Sequence, residues 1–129
     1  MSNELQINQL RGLGEKSFYE GDYVNARKHL ETAIALGCNE SSALSSLGYT
    51  CYLVGDYKAA LKYCEEAKQL RPLEVSNYTN LALSLYGLKR YHQALIVIDE
   101  GLTIDPRQAD LWVNQGLNYM ALHRPLDAQ

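Results

Sequence analysis

In the middle of the chain, apolar and small residues recur every three or four positions, break at a turn, and resume with the same spacing. Between residues 41 and 54, Leu44, Leu47, Gly48 and Cys51 fall on one stripe of a helix. Between 57 and 70, Ala60, Leu61, Cys64, Ala67 and Lys68 follow the same geometry. Gly55 lies where the first helix must stop, and glycine accepts the left-handed conformation of a helix C-cap at little cost. Pro72 follows the second helix, where its missing N–H takes nothing from the ladder. The pattern predicts two antiparallel helices of roughly 14 residues around a short turn.

The same hairpin returns along the chain. Gly21-Asp22-Tyr23 recurs 34 residues later as Gly55-Asp56-Tyr57, then as Lys89-Arg90-Tyr91, then as His123-Arg124-Pro125. That shift also superimposes Leu13-Gly14, Leu47-Gly48, Leu81-Ala82 and Gln115-Gly116, and it aligns Cys38, Pro72 and Pro106. The predicted layout is an extension over 1–6, units over 7–40, 41–74 and 75–108, and an incomplete unit over 109–129. Residue size carries the argument further. The eighth position of each unit is Gly14, Gly48, Ala82 or Gly116; the twentieth is Ala26, Ala60, Ala94 or Ala128; the twenty-seventh is Ala33, Ala67 or Gly101. Paired helices approach to ~8–9 Å only where small residues occupy the crossing.

These small residues, with Trp112 at a fourth position, Tyr119 at an eleventh, and Pro72 and Pro106 near unit ends, resemble the tetratricopeptide repeat over about residues 7–128. Ser17 and Cys51 depart from it at the eleventh position, Cys38 at the late proline, and Pro125 where other units have tyrosine. The resemblance implies an all-α, right-handed superhelical solenoid of antiparallel hairpins, about three and a half repeats long. Its first helices would line a concave face. Unit four contains only its first helix, so Trp112 and Tyr119 are expected to stay uncovered, forgoing ~2–3 kcal/mol each. A piece of a longer array, a capping last helix and pairing of open ends between two copies all remain open.

Composition narrows the function. Apolar residues make up 47% of the chain, which argues against disorder. A net charge of −3 without a basic block argues against nucleic acid and anionic membrane as partners. No export signal opens the chain and no membrane span is expected, so Cys38, Cys51 and Cys64 are read as reduced thiols of a cytoplasmic protein. Cys51 and Cys64 are expected to face each other as small core fillers of one hairpin. His29, His92 and His123 fall at different unit positions, which predicts no shared metal. Gly12-Leu13-Gly14-Glu15-Lys16-Ser17 lacks the glycine before lysine that a phosphate loop requires, and it lies within a helix. No enzyme activity and no cofactor are expected.

Carried onto this sequence, the family's groove positions give Arg11, Glu15, Tyr19, Ser46, Tyr49, Tyr52, Asn80, Leu83, Tyr86, Asn114 and Leu117 as binding candidates. Phe18, Ser45, Thr79, Gly87, Asp110 and Val113 occupy neighbouring positions of the same kind. Only Arg11, Glu15 and Asp110 are charged among them, so a near-neutral groove is expected. Asn80 and Asn114 are equivalent and Ser46 lies one unit earlier; an amide offers a donor and an acceptor to the peptide units of an extended chain. Tyrosines supply contact area with a polar tip. The clamp of cations by which chaperone-cofactor repeats hold a C-terminal carboxylate is absent, since Arg11, Glu15, Ser46, Ser76 and Asn80 stand at its positions.

The expected role is a scaffold for another protein or peptide. A substrate-presenting or regulatory module of a larger enzyme such as a glycosyltransferase, and self-assembly through the open end into a homo-oligomer, are the alternatives. The size pattern has a direct test: Ala60→Leu overpacks a helix crossing and lowers stability by roughly 1–3 kcal/mol in urea denaturation.

Overall fold

A computed structural model describes residues 3–123. They form seven helices, which are α1 (Asn3–Tyr19), α2 (Tyr23–Ala35), α3 (Ser41–Leu53), α4 (Tyr57–Leu70), α5 (Val75–Gly87), α6 (Tyr91–Ile104) and α7 (Ala109–Leu122). No strand occurs among the described residues. Within each hairpin α1 packs on α2, α3 on α4 and α5 on α6; each second helix then packs on the first helix of the next hairpin. The chain is an all-α solenoid of helical hairpins. Helix α1 begins at Asn3, so residues 3–6, expected as an extension, form its first turn. Pro125 and Ala128 lie outside the described residues.

The small positions sit at the crossings. Ala26, Ala33, Ala60, Ala67, Ala82 and Ala94 are all 0% exposed. A Cβ added to Gly14 would stand 2.9 Å from Leu30 Cγ, and one added to Gly48 would stand 2.5 Å from Cys64 Sγ. Gly101 serves a different contact: its added Cβ would meet Leu111 Cδ1 of α7 at 2.7 Å and Tyr78 Cβ of α5 at 3.0 Å. The twenty-seventh position therefore admits the next hairpin as well as its own first helix. Around Gly116 nothing lies within 4 Å among the described residues.

Each first helix of the three hairpins ends with the same pair of backbone hydrogen bonds. Gly55 N–H donates to Tyr52 O at 3.0 Å and Asp56 N–H to Cys51 O at 2.9 Å, with Gly55 at φ 85. Gly21 repeats this at φ 79, bonded with Asp22 to Phe18 and Ser17. Asp56 then caps α4, its Oδ1 accepting from Ala59 N at 3.2 Å, and Asp22 caps α2 through Asn25 N. Arg27 Nη2 donates to Asp56 Oδ2 at 2.7 Å, joining the second helix of one hairpin to the turn of the next. The Arg27 guanidinium, followed by the Ala59 N–H, holds the Asp56 carboxyl below its ordinary range. The family aromatics at the fourth position also have a shared task. Tyr78 OH donates to Pro72 O at 2.7 Å, and Trp112 Nε1 to Pro106 O at 2.8 Å, tying each new hairpin to the loop before it.

The third turn departs from the first two. Lys89 occupies the left-handed position at φ 62, and Arg90 provides no side-chain cap for α6. A lysine Cβ there crowds the following carbonyl. In urea denaturation Lys89→Gly should stabilise the protein by roughly 0.5–1 kcal/mol, whereas Gly55→Ala should destabilise it by about 1 kcal/mol. Equal responses at the two positions would contradict this account of the turns.

Candidate functional site

The inward faces of α1, α3, α5 and α7 enclose a groove of about 540 Å³. Helix α1 contributes Glu15, Phe18 and Tyr19; α3 contributes Ser45, Ser46, Tyr49 and Thr50. From α5 come Thr79, Asn80 and Leu83, and from α7 Asp110, Val113 and Asn114. Gly14 and Leu30 also line it. Helices α1 and α3 barely touch, whereas α3, α5 and α7 pack in succession. The gap lets Leu30 of the second helix α2 line the groove behind the side-chain-free Gly14. Counting positions on first helices alone misses Leu30; the signal was its place opposite the smallest residue of the crossing.

Of the candidates named from sequence, Glu15, Tyr19, Ser46, Tyr49, Asn80, Leu83 and Asn114 line this groove. The other four stand elsewhere. Arg11 Nη1 pairs with Glu40 Oε2 at 3.0 Å, drawn to the loop that precedes α3. Tyr52 and Tyr86 turn toward the second helices, their rings 5.6 Å from Tyr57 and 5.6 Å from Tyr91. Burial, then the neighbouring Tyr57, Tyr49 and Tyr86, pushes the Tyr52 hydroxyl upward. Leu117, on the third turn of α7, is 38% exposed and outside the groove lining. Gly87, also expected to face inward, instead receives the Tyr57 ring, whose Cδ1 would lie 2.5 Å from an added Cβ. The chain's ten tyrosines thus include a belt along the hairpin turns, in which Phe18, Tyr49, Tyr52 and Tyr57 follow one another with centroids 5.6–6.2 Å apart.

The two equivalent asparagines differ. Asn80 Nδ2 donates to Ser45 Oγ at 2.9 Å on the adjacent helix. Asn114 is 5% exposed, and its backbone carbonyl accepts from Asn118 Nδ2 at 2.7 Å. Its side-chain amide has no hydrogen-bond partner among the described residues. Charge differs from expectation too. With Arg11 held by Glu40, the lining keeps Glu15 and Asp110 and no cation, so the groove is acidic rather than near-neutral.

Nothing in the buried thiols suggests reactivity. All three cysteines are free and buried. Cys51 packs with Leu30, Leu47 and Ala60, while Cys64 packs with Tyr78, Leu81 and Ile98, and the two are near enough within their hairpin for Cys51 to act on the Cys64 thiol. Burial pushes the Cys51 thiol up to about 11 and the Cys64 thiol up to about 12. Among the described residues, no group of three His, Cys, Asp or Glu could hold a metal ion, and no helix is long and apolar enough to cross a membrane.

Residues 20–101 match the family model described as anaphase-promoting complex, cyclosome, subunit 3. No curated protein matches the chain in sequence. Solved structures with the same fold include the tetratricopeptide domain of Arabidopsis OM64, at 15% identity and TM-score 0.86 over 92% of this chain and 98% of that one. The second such domain of human RPAP3, in complex with the HSP70 peptide SGPTIEEVD, is 16% identical with TM-score 0.85, covering 92% and 98%. The TPR2B domain of yeast Sti1, in a complex with pHsp70, is 21% identical with TM-score 0.79, covering 95% and 100%.

The thiols have a measurable consequence. An unfolded cysteine titrates near 9.0, so from there to about 12 the unfolded chain releases protons that the folded chain retains. Stability contributed by Cys51 and Cys64 is therefore fully present below pH 9 and falls as pH rises through that window. Iodoacetamide near pH 8 should leave both unmodified in the folded protein and alkylate them in urea; rapid labelling of the native chain would refute their burial.

Proposed function

The chain belongs to the family of anaphase-promoting complex, cyclosome, subunit 3, a tetratricopeptide-type array, and we propose that it is a non-catalytic scaffold holding an extended polypeptide in the groove of its first helices. One observation carries this reading. Large apolar side chains face that groove from its two outer helices, Tyr19 at 85% exposure on α1 and Val113 at 62% on α7. Between them Ser46, Asn80 and Asn114 offer donors and acceptors at intervals along the stacked helices. A peptide laid across the stack would bury the first kind of surface and pair its backbone with the second.

The peptide seated on the RPAP3 domain is consistent with such a use of the fold. Its acidic end is a poor guide to the ligand here, because this lining has two carboxylates and no cation to receive it. We read the setting as cytoplasmic, where the buried Cys38, Cys51 and Cys64 would stay reduced. Substrate presentation to an enzyme would use the same groove. A second reading, self-association through α7, is favoured by Trp112 at 51% and Tyr119 at 46% exposure on that helix. A mass that stays monomeric across a wide concentration range in sedimentation would remove it.

For the groove, the test is a set of exposed-residue variants against peptides selected from a random end-capped library. Tyr19→Ala and Val113→Ala should each weaken binding about three- to tenfold while moving the melting temperature little, since both side chains already face water. Ile96→Ala, 63% exposed on the second helix α6, serves as the control and should leave affinity unchanged. Equal losses for all three variants would count against the groove.

A further inference from the structure

From the groove's lining we infer the chemical class of its ligand: an internal, extended segment carrying arginine or lysine, not a free C-terminus. This rests on the reading of the groove as a polypeptide site. Charge is the first argument. Glu15 projects from α1 and Asp110 from α7, at opposite ends of the helix stack, and no lining residue is basic. The one basic residue at a groove position by sequence, Arg11, is spent on Glu40 at 3.0 Å. Carboxylates facing a groove without counter-charge attract a cation from solution, and the attraction grows as a ligand displaces water.

Aromatic placement is the second. Phe18 and Tyr19 lie three and four residues beyond Glu15, on the same face of α1 one turn on. Their rings stand edge to face at 5.6 Å, and Tyr49 of α3 lies 6.0 Å from Phe18. A guanidinium or ammonium in that corner meets a carboxylate and the negative faces of aromatic rings together.

The third argument is independent of charge. The Asn114 side chain lines the groove, and its amide has no hydrogen-bond partner among the described residues. Its free donor and acceptor match the C=O and N–H of a peptide unit. Asn114 thus asks for backbone while Glu15 and Asp110 ask for cationic side chains. A terminal carboxylate would enter against both acids with nothing to neutralise it, which is why the segment is internal.

The experiment uses the full chain and end-capped peptide pools about ten residues long, identical except for two central positions fixed as Arg, Gln or Glu. Fluorescence anisotropy should rank Arg above Gln by about tenfold and Glu last at low salt, with the gap shrinking near 0.5 M salt. Replacing the C-terminal amide by a free carboxylate should weaken the Arg pool. Glu15→Gln with Asp110→Asn should erase the preference for Arg over Gln. If the pools bind equally while Tyr19→Ala still weakens them all, the scaffold stands and the cationic class is overturned. If no pool binds at any salt, both readings fail together.

Discussion

The architecture depends on how closely two helices can cross. Where Gly48 meets Cys64, a single added carbon would sit 2.5 Å from the sulfur, well inside van der Waals contact. Every larger feature follows from that spacing. Hairpins this thin stack with their first helices side by side, which turns the narrow faces of α3, α5 and α7 toward a common groove. The same economy of volume at Gly14 leaves room for Leu30 to reach the groove from behind. The crossing that holds the first hairpin together is therefore also what supplies part of its candidate site.

Between hairpins the bonds are of a different kind. Arg27 to Asp56, Tyr78 to Pro72 and Trp112 to Pro106 are polar links from one unit to the next, placed at turns and loops. They fix the angle at which units stack more than they add to the core, because partly exposed pairs contribute little net free energy. The third turn has lost its aspartate cap and its glycine, and it is the place where the repeat is least self-consistent. Ile98 of α6 and Leu111 of α7, both 0% exposed, belong to one apolar cluster with Leu81 and Leu85 of α5.

Fold was legible because the 34-residue return of small residues reports a backbone distance, and a distance between backbones leaves few alternatives. The site was legible only in part. A position rule for groove residues predicts where a Cα–Cβ bond points, not where a long side chain ends. Seven candidates with short or well-seated side chains obeyed it. Arg11 is long enough to reach Glu40, a residue outside any helix whose closeness no periodicity reveals. Tyr52 and Tyr86 found tyrosine neighbours on second helices, and their rings gain more by tilted and edge-on contact there than by facing water. Asn80 and Asn114 look identical in the repeat, yet only one has a serine at its side.

The displacement of Arg11 matters beyond its own contact. Counted on the sequence, one cation and two anions make a groove close to neutral; in three dimensions Glu40 removes the cation and leaves both anions. Domains of the same fold at 15–21% identity include one complexed with a peptide ending in acidic residues. A shared backbone does not decide what such a groove accepts, and we propose that here the few charges projecting into it do. Repulsion is as informative here as attraction. On the proposed reading, two carboxylates in the lining disfavour an acidic terminus on an otherwise similar backbone, and the turn of Arg11 toward Glu40 is what keeps a cation out of that lining.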